Sequence, residues 1–153
     1  MTARLNVFAA DNTPFQALAS LDAFLAGCGV PASTLNLVKM RVSQINGCSP
    51  CLDRYAHKLH TAGESDERLF SVATWREAPW FTDAERAALG LAEEATRLAD
   101  RPGAVPDQVW RKAGEHYDDA DLSALVMAIA QINVWNRILT MTRVPPSAAS
   151  RDA

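Results

Sequence analysis

The sequence predicts an all-α fold in a single domain. Apolar residues recur at intervals of three and four, residues typical of helix starts and ends separate these stretches, and no stretch alternates between apolar and polar residues as a half-buried strand does. The 153 residues have the length of one ordinary domain, and no linker or internal repeat divides them. We expect this domain to span residues 1–146 and a flexible tail to follow at 147–153.

Start and stop signals delimit four helices in the first half of the chain. Proline suits the first helical turn, serine and aspartate cap helix starts, and glycine commonly follows the last helical residue. The expected helices lie at 14–25, from a cap at Ser33 to a stop at Asn46-Gly47, at about 48–62 with Pro50 just inside the start, and after a cap at Ser65 or Asp66.

Three more helices are expected in the second half, which makes about seven in all. Thr82 and Glu85 have the spacing of a capping box, in which a hydroxyl and a carboxylate each accept a hydrogen bond from a free backbone N–H. Pro106 opens a short helix, and three aspartates crowd the start of the last helix, where the macrodipole favours negative charge. This last helix, at about 122–141, is apolar around most of its circumference, so we expect it to be central.

Composition and charge exclude several classes of protein. Apolar residues make up 48% of the chain and charged residues 22%, which fits neither a disordered chain nor a membrane protein. The 15 Lys and Arg against 18 Asp and Glu give a net charge of −3, whereas nucleic-acid binding needs a basic face. No secretory signal and no membrane-spanning run of about 20 apolar residues is recognised. We therefore expect no nucleic-acid or membrane partner, and a cytoplasmic location.

Two of the three cysteines, Cys48 and Cys51, form a C-x-x-C motif. Such a pair can bind zinc, form a structural disulfide, be incidental, or carry redox chemistry. Zinc binding needs a second pair of ligands, which is not supplied at suitable spacing by Cys28, His57, His60 and His116. We therefore expect no metal. The predicted position at a helix N-terminus favours redox use, because free N–H groups and the positive end of the helix dipole lower the pKa of a thiol.

Tyr55 is a candidate partner of the cysteine pair. It follows Cys51 by one helical turn, so both side chains lie on the same helix face. Its hydroxyl can donate a hydrogen bond to a thiolate but is a poor base near neutral pH, because a phenol titrates near pH 10. His57 and His60 lie on other faces of the helix and are expected to be surface residues.

The residues around the cysteines resemble the core signature of the AhpD-like alkylhydroperoxidases, which belong to the wider carboxymuconolactone decarboxylase family. The signature consists of MRVSQING at 40–47 followed by Cys48-x-x-Cys51-Leu52. The likeness continues through AGE at 62–64, WREAP at 75–79, F-x-x-x-ERAAL at 81–89 and IN-x-WNR at 132–137. It covers about residues 34–140 in consistent order, which makes it far more specific than a lone C-x-x-C.

The resemblance implies an all-helical AhpD-like fold, a homo-oligomer (a trimer, or a hexamer built from trimers) and no metal or flavin cofactor. The implied activity is that of a thiol-dependent peroxidase or disulfide oxidoreductase acting on a small peroxide. In this scheme Cys51 attacks the peroxide and Cys48 resolves the product into a disulfide. A dithiol protein, lipoyl-bearing or thioredoxin-like, then reduces the disulfide.

Two positions depart from the proton relay of that family. The family has a glutamate twelve residues before the first cysteine and a histidine four residues after the second, where this chain has Asn36 and Tyr55. Neither side chain accepts a proton readily at pH 7. Thiolate formation then depends on the helix N-terminus, on Tyr55 and on the nearby Arg54. The candidate catalytic residues are Cys48, Cys51, Tyr55 and Asn36.

The two departures favour a second interpretation, in which the same scaffold is a redox-sensing or binding protein with little turnover. A third interpretation, lactone decarboxylation, ranks last because that branch of the family does not use a C-x-x-C. Asn133, Asn136 and Arg137 share a helix face, and a polar helix junction or subunit contact explains them at least as well as substrate binding does. The four tryptophans are expected in the core or in an interface.

Overall fold

A computed structural model of the chain confirms the all-α fold. It describes residues 2–101, 103 and 105–146, and within these residues it has seven α-helices and no strand. The helices are α1 (Thr13–Ala26), α2 (Ala32–Asn46), α3 (Ser49–Thr61), α4 (Asp66–Phe70), α5 (Asp83–Thr96), α6 (Asp107–Gly114) and α7 (Asp119–Thr142). Short 3₁₀ helices, Ser71–Thr74 and Arg97–Ala99, extend α4 and α5. The tail predicted at 147–153 lies outside the described residues.

The start of α2 corrects one sequence prediction. Ser33 does not cap this helix, which begins at Ala32 with Pro31 as its N-cap residue, two residues before the predicted cap. The carbonyl of Pro31 accepts a hydrogen bond from the N–H of Leu35 at 3.1 Å. Proline fits this position because its fixed φ leads the chain into the helix and its missing N–H is not needed there.

The other predicted caps are present. Ser65 caps α4 by accepting a hydrogen bond from the N–H three residues later. Thr82 and Glu85 form the predicted capping box at the start of α5, with the two bonds at 3.2 and 2.9 Å. Asp118 caps α7 in the same way, so α7 begins at Asp119, three residues before the predicted start. Local sequence signals therefore account for most of the helix starts.

α2 and α7 form the middle of the fold. α2 packs against α3, α5 and α7, and α7 also contacts α1, α3, α5 and α6, as its apolar composition predicts. Fully buried side chains in these two helices include Leu37, Val38, Val42, Leu125, Ala128 and Ile132. Burial of one such aliphatic side chain stabilises the fold by about 1.5–3 kcal/mol, so α2 is firmly held where it leads into the cysteine motif.

α7 is also long and apolar enough to cross a membrane by length and composition alone. By length and composition, the expectation that no segment could span a membrane is therefore wrong for α7. The polar residues of this helix are spaced widely enough for its mean hydropathy to remain high. The core helix of a soluble protein passes the same test, and here α7 carries two buried polar side chains, Gln131 and Asn136, that bond to other helices. The criterion is therefore weak evidence for a span.

Candidate active site

The turn between α2 and α3 positions the cysteine pair. Gly47 adopts the left-handed conformation with φ of 67°, which glycine enters without the strain that a side chain adds. The N–H of Gly47 donates to the carbonyl of Gln44 at 3.3 Å, and the N–H of Cys48 donates to the carbonyl of Ser43 at 3.0 Å. This pattern closes α2 and turns the chain directly into α3.

Cys48 and Cys51 lie at the start of α3, as predicted. Cys48 is the N-cap residue, Cys51 is the third helical residue, and their Cα atoms are 5.4 Å apart. The structure joins the two side chains in a disulfide and buries both, with exposed fractions of 1% for Cys48 and 3% for Cys51. Both sulfur atoms therefore lie near the positive end of the α3 dipole.

Cys51 and Tyr55 line a cavity of about 430 Å³, whereas Cys48 does not. The segment before α1 covers one side of the cavity, and α1, α3 and α7 form the others. Phe8, Phe15 and Trp135 contact one another edge to face, with ring centroids 5.5–5.9 Å apart. With Ile132, Ile138 and Leu139 they make the lining mostly apolar. The cavity therefore suits an apolar molecule that reacts at Cys51.

Tyr55 is buried beside this cavity and cannot act as a base. Burial raises the pKa of Tyr55 to about 12, so its hydroxyl stays protonated at neutral pH. The Nζ atoms of Lys39 and Lys58 lie 5.8 and 5.6 Å from the centroid of its ring. These distances are within the range of cation–π attraction between each ammonium group and the ring.

The structure does not bring Asn36 into the cavity of Cys51. Asn36 lies on the wall of a second cavity of about 480 Å³, between α1, α2 and α3, together with Lys39, Arg54 and Lys58. Asp22 and Arg54 line both cavities, so the two spaces adjoin. Of the four predicted site residues, three therefore share the α3 site, and Asn36 lies beside it.

Sequence reasoning missed Asp22, Lys39 and Lys58. Lys39 is buried and binds the Asp22 carboxylate at 3.3 Å and the side-chain oxygen of Gln131 at 2.9 Å. A signal for Lys39 does exist in the sequence, since it shares a helix face with the apolar Leu35 and a lysine in that register is unusual. No local signal points to Asp22, because α1 meets α2 only in the folded chain.

The polar residues of α7 serve a helix junction. The side-chain amide of Asn46 donates to the oxygens of Asn133 and Asn136, both at 2.9 Å, and the amide of Asn136 donates to the hydroxyl of Ser43 at 3.2 Å. These bonds tie α7 to the last turn of α2, directly before the cysteines. The junction interpretation of these residues therefore has direct structural support.

None of the three histidines lines the cysteine cavity. His57 and His60 are exposed, as expected, and His60 lies 3.6 Å from the carboxylate of Asp66; His116 is exposed as well. In the part of the chain that the structure describes, no group of three His, Cys, Asp or Glu side chains is arranged as a metal site. Cys28 is half-buried in the loop after α1, and its thiol donates to the carbonyl of Leu25 at 3.1 Å.

We predict that Cys48 and Cys51 form a disulfide reversibly, because both lie in the first turn of one helix with Cα atoms 5.4 Å apart. Thiol counting should give three free thiols after reduction and one, that of Cys28, after mild peroxide treatment. Retention of all three thiols, under conditions that oxidise a control dithiol, would contradict this prediction.

The chain is similar to members of one protein family over most of its length. A model of the carboxymuconolactone decarboxylase family matches residues 14–94. The uncharacterised protein YdfG of Bacillus subtilis is 31% identical over 138 residues, which are 90% of this chain and 92% of YdfG. The alkyl hydroperoxide reductase AhpD of Mycobacterium tuberculosis is 40% identical over 48 residues, which are 31% of this chain and 27% of AhpD.

A solved structure extends the similarity to the whole fold. A protein of unknown function from Agrobacterium tumefaciens, considered an AhpD antioxidant defence protein, superimposes with a TM-score of 0.88. It is 30% identical, and the match covers 95% of this chain and 98% of that protein. The cysteine motif falls within the region that the family model matches. With its AhpD-like fold and its Cys48–Cys51 pair, the chain belongs to the carboxymuconolactone decarboxylase family.

Proposed function

We propose that this protein is a thiol-dependent peroxidase or disulfide oxidoreductase of the AhpD type. The observation that carries the proposal is the different access of the two cysteines to the apolar cavity, because Cys51 lines it and Cys48 does not. A small peroxide bound in the cavity would meet Cys51 first. Cys51 is then the attacking thiol and Cys48 the resolving thiol.

Each turn of the proposed cycle consumes one hydroperoxide and one dithiol. The Cys51 thiolate attacks one oxygen of a hydroperoxide, so that an S–O bond forms and the O–O bond breaks. The alkoxide takes up a proton and leaves as an alcohol, and Cys51 becomes a sulfenic acid. The Cys48 thiol attacks the sulfenic sulfur, which forms the disulfide and releases water.

The reductant in this cycle is a dithiol protein, lipoyl-bearing or thioredoxin-like. It returns two electrons and two protons to the cysteine pair by thiol–disulfide exchange and leaves as a disulfide. A cytoplasmic location fits such a donor, because cytoplasmic dithiols are kept reduced.

Three features of α3 support a Cys51 thiolate without the family's relay. Cys51 lies in the first turn, where backbone N–H groups lack intrahelical partners and the dipole favours negative charge. Tyr55 keeps its proton and is a hydrogen-bond donor on the same helix face. Arg54 lines the same cavity and adds a positive charge.

A second candidate function is redox sensing with little turnover. The observation that favours it is the absence of a base at the two relay positions, since Asn36 lies outside the cysteine cavity and the pKa of Tyr55 is raised to about 12 by burial. A sensor of this kind is oxidised once and then waits for a signal-dependent reduction.

Steady-state peroxide consumption with a regenerating dithiol separates the two functions. We expect the reduced protein to consume many equivalents of a small alkyl peroxide. Cys51→Ser should abolish consumption. Cys48→Ser, mixed with the peroxide before any dithiol is added, should consume one equivalent and leave a trappable sulfenic acid at Cys51. Cys28→Ser is the matched control and should turn over like the unaltered chain. Consumption of a single equivalent by the unaltered chain would favour the sensor instead.

A homo-oligomer is part of the same proposal. Apolar side chains that include Leu98, Trp110 and Val134 are exposed around one groove of about 730 Å³. Exposed apolar patches of this kind are typical of protein interfaces. Light scattering should give a trimer or hexamer of the 16.6 kDa chain, and Val134→Lys should dissociate it. A mass of 16.6 kDa for the unaltered chain at micromolar concentration would refute this prediction.

A further inference from the structure

The second cavity, beside the cysteine cavity, collects more positive than negative charge. Lys39, Arg54 and Lys58 line it, and among the described lining residues Asp22 is the one carboxylate. Asp22 binds Lys39 at 3.3 Å. With these side chains ionised, the cavity has an excess of about two positive charges near neutral pH. Such an excess in a partly enclosed space attracts an anion.

The pKa values of the two lysines reflect both their burial and the charges around them. Burial lowers the pKa of Lys58, and the charge of Arg54 lowers it further. Burial also lowers the pKa of Lys39, against the opposing effect of Asp22. An anion bound among these groups would offset the repulsion between the cations. It would raise the pKa of the lysines, because a nearby opposite charge favours their ionised form.

The cationic cavity adjoins the cysteine cavity along one face of α3. Cys51, Arg54, Tyr55 and Lys58 follow the spacing of one helix face, and Asp22 and Arg54 line both cavities. At 1.5 Å per residue, Lys58 lies roughly 10 Å along the helix axis from Cys51. A single elongated molecule can therefore contact Cys51 at one end and the cations at the other.

We propose that the substrate is an amphiphilic hydroperoxide, a medium-chain acid whose peroxide group meets Cys51, whose apolar body fills the aromatic cavity, and whose carboxylate binds Arg54 and Lys58. This inference rests on the proposed peroxidase function and names its substrate class. The guanidinium of Arg54 can bind a carboxylate through two parallel hydrogen bonds, and Lys58 adds a point charge. The carboxylate and the peroxide group are separated by roughly 5–10 Å along the helix.

Binding of an unreactive analogue tests the anion site without any need for peroxidase activity. The probes are octanoate and its neutral analogue octanamide, and the signal is the fluorescence of Trp135, assigned with Trp135→Phe. At pH 8 and low salt we expect octanoate to bind at least roughly ten times more tightly, which corresponds to about 1.4 kcal/mol. The preference should shrink in high salt, which screens exposed charges. Equal affinities for octanoate and octanamide would overturn the proposal.

Substitution of Arg54 and of Lys58 tests whether these two residues bind the carboxylate. Arg54→Gln and Lys58→Gln should each reduce the preference for octanoate over octanamide several-fold. Lys112→Gln removes one positive charge from α6, outside both cavities, and should keep the preference. An unchanged preference in Arg54→Gln and Lys58→Gln would contradict the assignment of the carboxylate to these residues.

The rate of thiol oxidation by a peroxide provides an independent test. Reduced protein without any reductant is mixed with an ω-hydroperoxy derivative of octanoic acid or with its methyl ester. If the acid oxidises the protein faster than the ester does, the cationic cavity recognises a carboxylate of the peroxide substrate and not an acidic group of the dithiol donor. Equal rates would contradict this conclusion. If octanoate binds tightly but neither hydroperoxide oxidises Cys51, the anion site stands and the peroxidase function fails.

Discussion

Tyr55→His combined with Asn36→Glu is expected to raise the second-order rate of thiol oxidation by a small alkyl peroxide on the order of 10²-fold. An imidazole one turn after Cys51 can take the thiol proton at neutral pH, whereas the present phenol, with a pKa of about 12, cannot. A carboxylate at position 36, in the adjoining cationic cavity, can then stabilise the charged form of the imidazole. This double substitution has the largest expected gain in activity.

The structure explains why the two substitutions should be coupled. A histidine at position 55 would lie near the ammonium groups of Lys39 and Lys58, which disfavour the imidazolium and lower its pKa. A glutamate at position 36 would enter the same cationic cavity and offset that charge. Either single substitution should therefore raise the rate less than the double one, and the effects should not add.

Rates for the original chain, the two single variants and the double variant test this expectation. Tyr55→Phe is a matched control, because it keeps the ring near the two lysines and removes only the hydroxyl donor. A lower rate in Tyr55→Phe would show that the phenol stabilises the thiolate. Equal rates in all four main proteins would mean that proton transfer does not limit the reaction, and the sensor interpretation would lose its main support.

Loss of the Glu93 carboxylate has the largest expected effect on stability. Glu93 on α5 is 4% exposed, and its oxygens accept hydrogen bonds from Arg41 at 2.6 Å, from the indole N–H of Trp75 at 3.1 Å, and from Arg76. Glu93→Gln keeps the shape but leaves the largely buried guanidinium of Arg41 without its counter-charge. Breaking a buried pair on one side costs about 3–5 kcal/mol of the free energy of unfolding.

Urea unfolding checks this value, and Glu94→Gln is the matched control. Glu94 is the next residue on α5 and pairs with Arg101, whose side chain is largely exposed. Surface ion pairs contribute about 0–1 kcal/mol, so Glu94→Gln should change the free energy of unfolding little. Equal effects of the two substitutions would show that the Glu93 network contributes no more than a surface pair does.

The effect of Glu93 should also depend on pH. Burial by itself raises the pKa of Glu93, but the combined hydrogen bonds from Arg76, Arg41 and Trp75 outweigh burial and lower it below its ordinary value of 4.5. A carboxyl with a lowered pKa in the folded state stabilises the fold above the unfolded pKa, and this contribution is lost as the pH falls through the folded pKa. The stability difference between the original chain and Glu93→Gln should therefore be full near pH 7 and should shrink below about pH 4.5. A difference that stays constant down to pH 3 would contradict the network.

The sequence by itself determined the features that depend on neighbours along the chain. Gly47 and Pro50 signal the end of one helix and the start of the next, so the placement of Cys48 and Cys51 in a first helical turn was predictable. The alignment of Cys51 with Tyr55 followed from the helical repeat, and the capping box at Thr82 was read from two residues three apart. One local signal misled, since Pro31 rather than Ser33 leads into α2.

Only the tertiary structure decided which side chains surround the cysteine pair. Phe8 and Trp135 close the cavity from opposite ends of the chain, and Lys39 bonds to Gln131, 92 residues away. It also separated Asn36 from the cysteine cavity, although the family's spacing suggested a shared site. Contacts of this kind depend on how helices pack against one another, and a helix with a broad apolar surface, such as α7, can be packed in several ways. The periodicity of a sequence indicates which face of a helix is buried, but not which distant residue that face will meet.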